Sequence, residues 1–333
     1  MTLAALAISF PALDPVAFRI GPIYGLGPVL VRWYGLAYMA GLLLGWLYLR
    51  HLLERSTLWA GDIAPFSRQA CEDLLLAMTI GIIVGGRLGQ VLLYHPGEYL
   101  REPLEILKVW NGGMSFHGGL IGAGLAAGWF AHRHGAPRLS VFDACSAVVP
   151  FGLLFGRLAN FINGEHWGNI TSLPWGVVFP HAGAGLFPRH PSQLYEAILE
   201  GVVLFLVLRY FTHTRLALKY PGRVTGVFLV GYGLARIVCE LFREPETGAP
   251  FNLGLVTTGM IYSLPMIVLG WFLLRQAEER ELQAQRELVH LKKAHRAEPM
   301  PPPGEATQPN SPEVAQSAEV APEGAPADET TRS

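Results

Sequence analysis

Three arginines stand in or beside long apolar runs of this sequence, where a permanent charge is out of place: Arg87, Arg157 and Arg236. Placing an arginine at the centre of a membrane helix costs at least ~2.5–3.5 kcal/mol, so each needs a partner or a task. Helical spacing offers partners. Tyr232, Arg236 and Glu240 recur at i, i+4 and i+8 on one helix face, where Glu240 can hold the guanidinium. Arg157 and Asn160 share another face, and Asn163, Glu165 and His166 follow just beyond it; Tyr195, Glu196 and Glu200 open a further apolar run. A guanidinium is always ionised and matches phosphate with forked, charge-assisted hydrogen bonds, so a converging arginine pair points to an anionic headgroup. His117 sits among glycines in Asn111 to Gly119 (NGGMSFHGG), which let a backbone or a substrate come close.

The elements that must position these groups follow from composition. The chain has 333 residues, 51% hydrophobic and 15% charged; soluble domains carry about 25% charge, so lipid is the expected solvent. A spanning helix needs roughly 20 mostly apolar residues. Seven stretches qualify, at 33–49, 74–93, 114–131, 141–162, 194–211, 224–242 and 255–274. The expected class is therefore all-α: a polytopic membrane protein of about seven transmembrane helices. Residues 1–32 are expected to be an interfacial helix or a packed arm, because the apolar run at 3–10 is too short to span and lacks the basic start of an export signal. The seven-helix transmembrane domain then covers 33–274, with the long loop 163–193 forming a small outer head. Residues 275–297 read as a charged helix. The tail from Glu298 to Ser333 holds eight prolines and seven acids, too little apolar surface to offset its ordering entropy, and is expected to be disordered.

Orientation follows from the basic residues. With the N-terminus outside, fifteen fall on the cytoplasmic side, in the loops after the odd-numbered spans and in the charged helix; six fall outside: Arg19, Arg32, Arg101, Lys108, Arg189 and Arg243. The bias predicts N-out and C-in, with Arg157, Arg236, His117 and the span-5 acids towards the outer face. A net charge of −1 gives no basic field, so nucleic acid is not an expected partner. Three cysteines without metal-ligand spacing suggest neither a disulfide framework nor a metal site.

Five blocks resemble the bacterial prolipoprotein diacylglyceryl transferases. They are Arg32 to Gly35 (RWYG), Gly113 to Gly119 (GMSFHGG), Gly156 to Gly168 (GRLANFINGEHWG), Arg189 to Glu196 (RHPSQLYE) and Tyr232 to Glu244 (YGLARIVCELFRE). Departures are Gln90 where relatives often carry Tyr, Met260 where Gln is common, and the acidic Pro-rich tail. The resemblance implies a reaction in the bacterial inner membrane. A diacylglyceryl group passes from phosphatidylglycerol, a membrane lipid, to the lipobox cysteine of an exported prolipoprotein, leaving a thioether and releasing glycerol phosphate.

The resemblance also implies the site. Its functional positions carry over to Tyr34, His117, Arg157, Asn160, Glu165, Gly168, Tyr232, Arg236 and Glu240. Arg157 and Arg236 would bind the phosphate and stabilise its growing charge, while Glu165 and Glu240 would orient arginines. Tyr34, Tyr232 and Asn160 would hold the headgroup or position the arginines. His117 is the candidate base for the thiol, since an unperturbed histidine titrates near neutral pH; service as a headgroup ligand is the alternative. No metal or cofactor is required. Without the resemblance, a transporter or binder of an anionic lipid or solute stays open, and would need access from both sides.

Overall fold

The computed structural model describes residues 8–11, 14–21, 27–94, 96–109, 112–180, 182–244 and 256–297. Met1–Gln285 make one compact unit; Arg286–Ser333 form a second, described only to the end of its helix at Ala297. The expected disordered tail, 298–333, lies outside the described residues.

The described chain is mostly helical. Three short strands, β1 (Ile8–Ser9), β2 (Val16–Ile20) and β3 (Val29–Arg32), lead into helix α1 (Trp33–Glu54). Helix α2 (Ala70–Gly89) runs through a π turn at Gln90–Tyr94 towards the short α3 (Pro96–Arg101) and a 3-10 turn at Pro103–Leu107. Helices α4 (Phe116–Arg133) and α5 (Arg138–Asn163) follow, then strand β4 (Val177–Val178). Helix α6 (Ser192–Glu196) continues through a π turn at Ala197–Val203 into α7 (Leu204–His213), before α8 (Arg223–Glu240) and α9 (Thr258–Ala297).

Each of the seven apolar stretches lies largely on helix. Among the described residues four helices are long and apolar enough to cross a membrane: Trp33–Glu54, Ala70–Leu92, Arg138–Asn163 and Thr258–His290. The other stretches are diluted by glycine and histidine in α4, divided by the π turn between α6 and α7, or loaded with Tyr, Arg and Glu in α8. Leu42, Leu43 and Leu47 of α1, Leu120 and Leu125 of α4, and Val268, Trp271 and Phe272 of α9 are exposed. An apolar surface on this scale is one that lipid covers.

The strictly all-α expectation needs correction. Strand β1 pairs in parallel with β4, and β2 pairs antiparallel with β3. The apolar N-terminal run is thus not an interfacial helix at Ile8–Ser9 but a strand, packed on the loop after α5. Phe10 lies with Phe161, Trp167 and Phe179 in a small apolar cluster around Val177 and Ala184. Strands of two residues carry no readable alternation; their partner decides them.

Helices α2 and α4 meet through glycine. Gly81, Gly85 and Gly89 face Gly118 and Gly122, and a Cβ added at Gly122 would sit 2.0 Å from the Gly81 carbonyl oxygen. Small residues at such spacing let membrane helices pack backbone to backbone. Helix α5 lies between α1 and the α6–α8 group, and Asp143 near its start caps a neighbour. Its carboxylate accepts from Gly222 N–H, Thr225 N–H and the Thr225 hydroxyl, each at 2.7 Å, at the N-terminus of α8. Gly122→Ala is expected to lower the unfolding midpoint in detergent, at a cost of about 1–3 kcal/mol. Gly124→Ala, whose added Cβ meets nothing within 4 Å, is expected to be neutral.

Candidate active site

The end of α5, the start of α6 and the end of α8 come together around buried charge. Glu196, fully buried on α6, bridges two helices: Oε2 lies 3.1 Å from Arg157 Nε on α5, and Oε1 accepts from Arg236 Nη1 on α8 at 2.5 Å. Glu200, also fully buried, lies 3.6 Å from both guanidinium groups. Arg236 Nη2 donates to Glu240, whose other oxygen accepts from the Thr257 hydroxyl at 2.7 Å. Arg243 Nη1 joins from the end of α8, 3.6 Å from Glu196 and 3.8 Å from Glu240. Three guanidinium groups and three carboxylates therefore balance inside the bundle. Buried ions persist only when paired in this way.

The arginines differ in what they have left to give. Arg236 spends both terminal nitrogens on carboxylates. Arg157 approaches Glu196 and Glu200 through Nε, and among the described residues its Nη atoms donate no hydrogen bond. The side chain is 19% exposed.

The sequence-derived site residues distribute around this cluster. Tyr232 stacks on Phe228, with ring centroids 5.8 Å apart, within electrostatic reach of Glu196, Glu200 and both arginines. Tyr34 meets the Tyr38 hydroxyl at 3.1 Å and lies within reach of Arg157 and Glu165. Asn160 and Asn163 both donate to Glu165 Oε1, at 2.9 and 3.2 Å. Glu165 therefore fastens asparagines where it was expected to orient an arginine; Glu196 and Glu200 do that work from another helix. His117 opens α4, its ring edge-on to Tyr262 at 5.1 Å. Tyr262 follows Thr257 at the start of α9, so His117 stands on the flank of the cluster's Glu240 side.

Gly168 belongs to the loop that caps this end. Its N–H donates to the His190 carbonyl at 2.9 Å, and an added Cβ would strike the Phe242 carbonyl oxygen at 2.3 Å. The loop is tightly pinned. Arg189 is buried and spans Ala184 O, Gly168 O and the Glu244 carboxylate, which also accepts from Trp167 Nε1. Gln193 Nε2 ties the start of α6 to Glu165 O. Burial lowers the His190 pKa, which favours a neutral ring; its Nδ1 meets the Tyr195 hydroxyl at 3.1 Å.

Spacing on a single helix exposed Glu240 and hid Glu196 as a shared ligand, because the bridge crosses helices. Arg243 stands three residues after Glu240, just past the end of α8, where helical spacing assigns no face. Glu196→Ala is expected to leave two buried guanidinium groups short of their common carboxylate. The cost is about 3–5 kcal/mol, checked as a fall in the detergent unfolding midpoint; Glu54→Ala, which breaks an exposed pair with Arg68, should cost at most about 1 kcal/mol.

Comparison with known proteins identifies the family. The family described as prolipoprotein diacylglyceryl transferase matches residues 15–275. A phosphatidylglycerol–prolipoprotein diacylglyceryl transferase of Rhizobium meliloti is 52% identical over 270 residues, covering 80% of this chain and 94% of the relative. Its counterpart in Rhizobium leguminosarum bv. trifolii is 51% identical over 277 residues, covering 82% and 95%. That of Methylocella silvestris is 51% identical over 275 residues, covering 82% and 97%. The chain belongs to the prolipoprotein diacylglyceryl transferase family.

Proposed function

We propose that this multi-pass membrane enzyme transfers the diacylglyceryl group of phosphatidylglycerol to the lipobox cysteine of an exported prolipoprotein. The observation that carries this reading is the free fork of Arg157 beside a carboxylate-pinned Arg236. One guanidinium is fixed by Glu196 and Glu240, and its neighbour keeps two terminal nitrogens for a phosphate. Charge-assisted, bidentate recognition of phosphate is what that geometry offers.

The thiol of the acceptor loses its proton, and the sulfur attacks the glyceryl carbon that bears the phosphodiester. The carbon–oxygen bond breaks, and its electron pair leaves with glycerol phosphate; a carbon–sulfur bond replaces it. A free thiol has a pKa of roughly 8.5, so a base must raise the thiolate fraction. His117 is the proposed acceptor of that proton. Arg157 meets the leaving phosphate, and Arg236 and Arg243 add positive potential in a cavity where water competes poorly. Tyr34, Tyr232 and Asn160 position the headgroup and the arginines. Gly168 and the head formed by 163–193 shape the opening through which the peptide arrives.

Seven helices would cross the inner membrane with the N-terminus out and the C-terminus in. Support comes from the basic-residue bias and from the gathering of Arg157, Glu196, Glu240 and the 163–193 loop at one end of the bundle. That end would face away from the cytoplasm, where exported substrates are met.

Purified protein, phosphatidylglycerol and a lipobox peptide are expected to give a peptide bearing a diacylglyceryl mass on cysteine, read by mass spectrometry. A Cys→Ser peptide should stay unmodified. Arg157→Lys, which keeps the charge and loses the fork, is expected to cut kcat/KM on the order of 100-fold. No product from folded, lipid-supplied wild type would favour a transporter of anionic lipid.

A further inference from the structure

Among the described residues, Arg87 meets none of the carboxylates that surround Arg157 and Arg236. It is 5% exposed, and its guanidinium is turned into main chain. Nε donates to Ile106 O at 3.0 Å, and Nη1 to Gly112 O at 2.6 Å and Gly113 O at 3.1 Å. Nη2 donates to Glu105 O and to Lys108 O, and the group lies 5.1 Å from the centre of the Tyr99 ring. A guanidinium has five N–H donors, and here five carbonyls receive them. Nothing is left over for a phosphate.

What Arg87 holds is the segment that delivers His117. Residues 105–109 and Gly112–Gly113 stand just before Ser115, whose N–H donates to Gly86 O at 2.9 Å and whose hydroxyl caps α4 through Gly118 N–H. The turn needs two left-handed residues, Gly112 at φ +83° and Gly113 at φ +74°. Gly113 packs so closely on the clamp that an added Cβ would lie 3.2 Å from Arg87 Nη1. The first turn of α4 is thereby fixed to α2 from below by glycine packing and from the side by Arg87 and Gly86.

We propose that Arg87 is a positioning residue of the transfer reaction: its carbonyl-saturated guanidinium sets the approach to α4, and with it the imidazole of His117. The kinetic side rests on the reaction proposed above; the clamp does not. A displacement of about 1 Å in a reacting group costs on the order of 100-fold in rate. Lysine offers three donors on a flexible stem and can replace part of the clamp; glutamine removes the charge and most of the donors.

The test uses the full chain in detergent with phosphatidylglycerol and lipobox peptide, alongside hydrogen exchange across 103–115. Arg87→Gln is expected to lower kcat on the order of 100-fold and Arg87→Lys on the order of 10-fold, with KM for the lipid within about twofold. Exchange should quicken in 103–115 and stay unchanged around Arg157 and Glu196. If Arg87→Gln does not purify folded, Gly113→Ala disturbs the same clamp from the loop side and should show the same kcat loss at constant KM. A raised lipid KM with unchanged kcat would make Arg87 a phosphate ligand and overturn the proposal. So would faster exchange with unchanged kcat. Unchanged exchange in folded Arg87→Gln overturns the clamp itself, whereas a wild type that transfers nothing overturns the reaction reading.

Discussion

Two guanidinium groups share one buried carboxylate, and this constraint organises one end of the helix bundle. Glu196 reaches Arg157 on α5 and Arg236 on α8 from a position of full burial on α6. A charge in that setting is tolerated only against an opposite charge in good geometry, so the three helices are fixed relative to one another by electrostatics as well as by packing. Glu200 and Glu240 complete the balance, and the loop after α5 closes over it through Gln193, Arg189 and Gly168. The head is in turn held by strand β1 from the N-terminal arm.

Arg87, Arg157 and Arg236 show how differently one type of side chain can be surrounded within a single chain. Arg87 is saturated by carbonyl oxygens and behaves as a structural joint. Arg236 is saturated by carboxylates and acts as a fixed charge. Arg157 approaches its carboxylates through Nε, and among the described residues its Nη atoms donate no hydrogen bond. Sequence alone placed all three in apolar runs and could not divide the labour, since the dividing contacts come from other elements.

The helical framework was legible because lipid imposes a simple requirement on composition: each of the seven long apolar stretches had to be helix, and each lies largely on helix. Single-helix spacing also brought Tyr232, Arg236 and Glu240 to one face. What escaped were features decided between elements. Glu165 stands two residues past the end of α5, yet its carboxylate turns back to Asn160 and Asn163. The two-residue pairing of Ile8–Ser9 with Val177–Val178 has no local pattern to announce it. The π turn at Ala197–Val203 carries Glu200 inward within a run that reads as ordinary helix.

The most direct test is a phosphorus–nitrogen dipolar measurement by solid-state NMR on arginine-labelled protein in phosphatidylglycerol bilayers. Assignment of the close nitrogens would come from single Arg→Lys variants. The account predicts a short contact between the lipid phosphorus and the terminal nitrogens of Arg157, lost in Arg157→Lys and kept in Arg87→Lys. A contact that survives Arg157→Lys and disappears in Arg87→Lys would contradict it.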